Sequence, residues 1–233
     1  ACRAKIKTYA SGGLWLSQSI DSLLKDTQNF LDQGFRSMKI RVGSTNCKND
    51  VERVKEVRNA IGPDIELMAD INQALEPKQA IQLGKELEEY DLLWLEEPVA
   101  SNNRVGHAEV RSALATPIAS GENEYSLSGM HEMIEAKACD ILMPDLQRIG
   151  GISEMRKVAN LAESYNLPIS THIFTEHSLS VAGSVTNCLS VEHMPWFSKL
   201  FNEQIDVING YIDIPERPGT GFTFNDTYIK LIN

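Results

Sequence analysis

Apolar runs of strand length alternate with amphipathic stretches along this chain, and three of the runs lead to an acid at equal intervals. Asp70, Glu96 and Glu122 stand 26 residues apart. They follow Ile65-Glu66-Leu67-Met68-Ala69, Leu92-Leu93-Trp94-Leu95 and Pro117-Ile118-Ala119-Ser120-Gly121. A spacing of about 25–30 residues is one strand-plus-helix unit. The three carboxylates should therefore emerge at the same end of three adjacent parallel strands. Converging carboxylates repel one another unless a cation lies among them, which points to a divalent, oxygen-preferring metal, Mg²⁺ foremost.

The alternation extends in both directions. Strands are expected at Ile6–Ala10 and Ser37–Val42, in the three runs ending at the acids, and at Asp140–Met143, Leu167–Ser170 and Cys188–Val191. Helical periodicity predicts helices over Ser17–Gln33, Asp50–Ala60, Pro77–Glu89, Val105–Ala115, Ser126–Ala136, Gly151–Tyr165 and Ser178–Asn187. Gly34 and Gly62-Pro63 stop two of them, and Pro77 suits a first helical turn. Eight strands and seven helices in strict alternation imply a parallel sheet. A dinucleotide fold lacks its GxGxxG after the first strand. Polar residues at the carboxyl end of nearly every strand favour a closed, TIM-like α/β barrel with its site at that end. Val207-Ile208-Asn209-Gly210-Tyr211-Ile212 reads as a hairpin with an Asn-Gly turn, opening a C-terminal hairpin and tail over about 206–233. The whole chain, 1–233, reads as one domain.

In a barrel the strand ends share one cavity. Strand two brings Lys39 and Arg41. Strands three to five bring Asp70, Glu96 and Glu122. Strand six brings Asp145, strand seven His172, and strand eight Glu192 followed by His193. A metal held by carboxylates can grip a substrate carboxylate and stabilise charge developing on it, with Lys39 as a second positive contact. His172 can take a proton, and Asp145 can orient and charge-stabilise it. Glu192, if kept neutral, can donate a hydrogen bond. Together these residue types suit removal of a proton alpha to a carboxylate. Asn72, Asn123 and Arg148 lie beside the ligands. His107, His131, His177 and His193 read as structural, and Trp94 and Met143 as barrel packing.

A net charge of −10 argues against nucleic acid or an anionic membrane as partner. Cys2, Cys47, Cys139 and Cys188 form no CxxC pair, as expected of reduced thiols in a cytoplasmic protein. No apolar run reaches the ~18 residues of a membrane span, and no signal peptide is visible.

The ordered strings Asp70-Ile71-Asn72-Gln73, Trp94-Leu95-Glu96-Glu97-Pro98, Gly121-Glu122-Asn123, Met143-Pro144-Asp145 with Ile149-Gly150-Gly151, and Ser170-Thr171-His172, followed by Glu192, resemble the enolase superfamily, specifically its mandelate racemase subgroup. The resemblance runs from about Ile6 to the C-terminus. It implies a (β/α)7β barrel, Mg²⁺ on Asp70, Glu96 and Glu122, a His172–Asp145 base dyad, and Glu192 as an electrophile near the substrate carboxylate. This superfamily's use of a Lys or His base with Mg²⁺ and an enediolate is a known example of pKa tuning. Glu96 matches the ligand, and Glu97 is expected to point away because strand neighbours alternate.

Two departures from the subgroup narrow the expectation. Its usual Lys-x-Lys on strand two is here Lys39-Ile40-Arg41, and a guanidinium is a poor base. One competent base disfavours racemisation and suits β-elimination. The expected reaction is dehydration of a sugar acid to a 2-keto-3-deoxy acid, with racemase, epimerase or lactone cycloisomerase activity as the alternative. The resemblance also implies an N-terminal capping domain, and almost nothing precedes strand one here. The chain is therefore expected to be a fragment lacking that cap, with poor water exclusion. A barrel that has lost catalysis and serves in assembly or binding is the rival from another class. The expected partner is a small-molecule carboxylate, and the full-length protein is expected to be a homo-oligomer.

Overall fold

Residues on each strand divide by parity. Lys39 and Arg41 alternate with Met38 and Ile40, and Met68 and Asp70 alternate with Leu67 and Ala69. In the computed structural model, which describes residues 2–229, the odd–even split becomes an inside and an outside. Eight parallel strands form the barrel: β1 (Lys5–Ala10), β2 (Ser37–Arg41), β3 (Glu66–Asp70), β4 (Leu92–Glu96), β5 (Ile118–Ser120), β6 (Ile141–Leu142), β7 (Ile169–Thr171) and β8 (Cys188–His193). Seven helices join them: α1 (Ile20–Asp32), α2 (Cys47–Ile61), α3 (Pro77–Leu87), α4 (Arg104–Ala113), α5 (Ser126–Glu135), α6 (Ile152–Ser164) and α7 (Thr175–Ala182). Each strand pairs with the next in sequence, and β1 closes the ring by pairing with both β8 and β2. The fold is a TIM-like (β/α)7β barrel.

Outward residues of β2, β3 and β4 pack with Leu23, Val54, Val57 and Leu83 of α1, α2 and α3. On the other side Leu142, Ile169 and Val191 pack with Met130, Met155, Val158 and Leu179. Tyr9, Met68, Trp94, Ala119, Ile141 and Met143 fill the barrel interior, as expected for Trp94 and Met143. No described helix is long and apolar enough to cross a membrane.

Local chemistry sets the element ends. Ser19 caps α1 by accepting from Ser22 N, so Ser17 and Gln18 stay in the preceding loop, outside the expected helix. Asn46 caps α2, which starts at Cys47, ahead of the expected Asp50. The expected helix Ser178–Asn187 shifts most. Ile173 and Phe174 turn the chain through left-handed backbone, α7 starts at Thr175, and Gly183 caps it. The remaining Asn187 side chain instead ties the loop to the Ala159 and Leu167 carbonyls.

The expected hairpin is also corrected. Asn209 and Gly210 do turn with positive φ, and Ile208 bridges Tyr211. However, β9 (Tyr211–Asp213) pairs antiparallel with Lys5–Lys7 of β1, not with its own upstream arm. β2 meets β1 only at Ala10↔Met38, so the N-terminal half of that β1 edge is left for β9. Of the expected tail, residues 230–233 lie outside the described residues.

Candidate active site

Parallel register brings the strand-end groups together. Arg41 is level with Asp70 on β3, and Asp70 is level with Glu96 on β4. Glu122 departs from the pattern, because β5 stops at Ser120 and Gly121 (φ +130°) turns the chain before it. The 26-residue spacing therefore places two acids at one height and the third just above them.

Lys39 is fully buried among carboxylates. Its Nζ donates to Glu96 Oε1 and lies 2.9 Å from Glu192 Oε1 and 3.4 Å from Asp70 Oδ2. Burial opposes its charge, but Glu192, Glu96 and Asp70 outweigh it, so its pKa is raised well above that of an ordinary lysine. Its carboxylate neighbours thus favour the protonated form of Lys39. Arg41 lies beside it, with Nε 3.5 Å from Asp70 Oδ2 and Nη2 3.0 Å from Ser11 Oγ.

The acids are individually fixed. Asp70 accepts from the Asn72 backbone N–H at 2.8 Å and from Asn72 Nδ2 at 3.1 Å. Glu96 accepts from Trp94 Nε1 at 2.9 Å. Burial raises the Glu96 pKa well above the carboxylate range; Lys39 lowers it, but Asp70, Glu192 and Glu122 add to the rise. Glu122 accepts from Asn123 Nδ2 at 3.3 Å, and Arg148 Nη1 holds the Glu122 carbonyl at 2.9 Å. Its carboxyl is also raised, mainly by burial.

Asp145 and His172 form a β-bridge between the β6 and β7 ends, and His172 Nδ1 lies 2.6 Å from Asp145 Oδ2. Asp145 Oδ1 accepts the Gln147 and Arg148 backbone N–H groups, both at 2.9 Å. Burial pushes its pKa up, but the His172 hydrogen bond and the Arg148 N–H reverse that, and the net shift is downward. Asp145 is thus an ionised acceptor facing Nδ1. This leaves His172 Nε2 toward the cavity, 3.4 Å from Glu122 Oε2. Burial disfavours the imidazolium, but Asp145, Glu192 and Glu122 raise the pKa overall.

Glu192 lies fully buried, with Oε1 2.9 Å from the Lys39 ammonium. Burial favours its neutral form, yet Lys39, His172 and Arg41 hold it ionised, well below the usual carboxylate range. Its Oε2 accepts from Ile173 N at 3.0 Å. Glu97 does leave the Lys39 cluster but is not idle. It is buried, accepts from Ser120 Oγ at 2.5 Å, and shares the Asn123 amide with Glu122. Burial, with Glu122 close by, lifts its pKa to about 7. The adjacent Glu96-Glu97 pair was the only sequence signal for it.

The four other histidines lie outside this cluster. His107 is buried in α4, His131 meets Tyr165, His177 packs on Phe201, and His193 packs on Phe35. Among the described residues, no three His, Cys, Asp or Glu side chains close to metal-coordinating distances. Asp70, Glu96 and Glu192 lie around the Lys39 ammonium, and Glu122 lies beside His172. Asp70, Glu96 and Glu122 nevertheless bring their carboxylate oxygens to the same end of the barrel, and a hard dication fits such an all-oxygen donor set.

The family model described as enolase C-terminal domain-like matches residues 22–228. L-talarate/galactarate dehydratase of Salmonella typhimurium is 34% identical over 226 residues, which cover 97% of this chain and 57% of that protein. The 3,6-anhydro-alpha-L-galactonate cycloisomerase of Streptomyces coelicolor is 33% identical over 217 residues, 93% of this chain and 60% of that protein. The crystal structure of L-talarate dehydratase from Polaromonas sp. JS666, complexed with Mg and L-glucarate, matches with a TM-score of 0.93 at 34% identity. The match covers 96% of this chain and 62% of that one. The chain thus spans somewhat more than half the length of these relatives. A match of this extent places it in the enolase superfamily, where it belongs to the enolase C-terminal domain-like family.

Proposed function

We propose that the protein removes the proton alpha to a carboxylate with the help of Mg²⁺, and that it dehydrates a sugar acid to a 2-keto-3-deoxy acid. The observation that carries this reading is asymmetry: a histidine–aspartate dyad at the ends of β6 and β7, and on β2 a carboxylate-paired lysine with an arginine. Asp70, Glu96 and Glu122 are the residues that would hold the metal. The metal, when bound, supplies Lewis-acid stabilisation of the charge growing on the substrate carboxylate. Lys39 stays protonated and donates to the same oxygens. His172 Nε2 takes the alpha proton while Asp145 holds Nδ1. The C–H electrons become the double bond of an enediolate, which collapses to expel the β-hydroxyl. The proton on His172 leaves with that hydroxyl as water, and the resulting enol tautomerises to the keto acid. Ile173 N–H and Lys39 keep Glu192 in place beside the carboxylate site.

Arg41 cannot accept a proton, so the intermediate has a base on one face only, which favours elimination over epimerisation. The sugar-acid dehydratases among the relatives support this reading. Cycloisomerisation is the second reading, favoured by the Streptomyces coelicolor relative, and it begins with the same proton step. A keto-acid assay over a panel of aldonates and aldarates tests the proposal. Turnover should require Mg²⁺ and fall roughly 10²–10⁴-fold in His172→Asn. Activity that survives either EDTA or His172→Asn would contradict it.

A further inference from the structure

Trp94 does more than fill the barrel. It stands two residues before Glu96 on β4, so both side chains point into the interior. Its Nε1–H donates to Glu96 Oε2 at 2.9 Å, and both residues are fully buried. The other oxygen, Oε1, accepts from Lys39, whose ammonium also lies 3.4 Å from Asp70 Oδ2. Oε1 thus lies on the side of the acid cluster, and Oε2 on the side of the indole.

The indole is itself held in place. Its ring meets the Tyr9 ring edge-on, with centroids 5.3 Å apart and an interplanar angle of 82°. Met68, Ala119, Ile141 and Met143 complete the layer. An indole N–H is a donor only and can never ligate a metal. The side chains that donate to the other two acids are Asn72 and Asn123, which solvent reaches, so water can take their place. Glu96 is wholly buried, and losing the Trp94 N–H would leave Oε2 without that partner.

Resting on Asp70, Glu96 and Glu122 as the metal ligands, we propose that Trp94 is a positioning residue that sets the choice of metal. By holding Oε2 it leaves Glu96 one oxygen for the ion and favours Mg²⁺ over Ca²⁺. Mg²⁺ demands a near-ideal octahedron of about six ligands, whereas Ca²⁺ takes about six to eight oxygens and often grips a carboxylate by both. A glutamate with one oxygen tied up serves the first ion and denies the second its extra contact.

Calorimetric titration of the metal-free protein with Mg²⁺ and with Ca²⁺ tests this without turnover. The protein should bind Mg²⁺ more tightly. Trp94→Phe keeps an aromatic ring in the layer but has no N–H. There Mg²⁺ binding should weaken roughly 10–100-fold, as when other metal ligands lose their partners, and the preference over Ca²⁺ should fall at least about tenfold. Tyr9→Phe loses only a hydroxyl from the same layer and should leave the preference unchanged. An undiminished preference in Trp94→Phe, or an equal loss in Tyr9→Phe, would overturn the proposal. Proton–nitrogen NMR of the wild type gives a second readout that does not depend on the variant folding. Of the three tryptophans only Trp94 is fully buried, which identifies its indole proton by slow exchange. That proton should stay protected and its resonance should move as Mg²⁺ saturates, whereas fast exchange in the Mg²⁺-loaded protein would overturn the proposal. If Glu96→Gln binds Mg²⁺ as tightly as the wild type, the ligand assignment fails and the Trp94 role with it. If Glu96→Gln loses Mg²⁺ while Trp94→Phe keeps the preference, the ligands stand and the Trp94 role alone fails.

Discussion

Lys39 and Arg41 are two residues apart on β2, so both face the barrel interior. The period of two made that legible in the sequence, as it did for Asp70 and Glu96. It could not show which carboxylate a long lysine reaches. Lys39 bridges Glu96, Glu192 and Asp70 at once, and among its neighbours it lowers the Glu192 pKa most. Glu97 was placed correctly outside the Lys39 cluster, but its bond to Ser120 depends on how the β5 end folds. His107 offers a test of burial alone. It is fully buried, its ring nitrogens lack well-formed hydrogen bonds, and burial lowers its pKa to about 4 from 6.5. Between those values the unfolded chain holds the extra proton, so stability falls as pH drops through that window. Relative to His107→Leu, the protein should lose roughly 2 kcal/mol between pH 7 and pH 5. Urea unfolding at the two values measures it, and an unchanged difference would exclude His107 as the titrating group.

Among the elements, those with a strong period and a clear cap were readable within a few residues. The third helix is the plainest case, with Pro77 at its start and a Glu76–Gln79 capping box. The seventh helix was not readable, because its start depends on the left-handed turn at Ile173 and Phe174, conformations those residue types rarely adopt. That turn also delivers the Ile173 N–H to Glu192, so the local misfit serves the site. The β9 segment was missed as a strand of the barrel seam, because its partner is 206 residues away in sequence at Ile6↔Ile212. Gly34 is the hinge of that docking. It has φ +90°, its carbonyl accepts from Gly210 N at 2.8 Å, and an added Cβ would stand 2.6 Å from the Val207 carbonyl oxygen. Gly34→Ala should therefore cost roughly 1–3 kcal/mol, seen as a lower urea midpoint. A neutral result would show that the turn can move away from β1.

At the scale of the whole molecule, the architecture was legible because a parallel barrel repeats one unit with one exit direction. The closing pair β1–β2 and the approach of Glu122 to His172 are contacts between distant parts of the sequence that exist only in the completed ring. The proposed elimination depends on all three scales: the His172–Asp145 pair, the two cationic side chains of β2, and the closed ring that brings the strand-end carboxylates together. Proton NMR of a sugar acid accepted by the protein, incubated with Mg²⁺ in D₂O, tests it most directly. Elimination at this site should give a 2-keto-3-deoxy product and no alpha-epimer in the recovered substrate. Deuterium at the alpha carbon of an epimerised acid with every hydroxyl retained would contradict it.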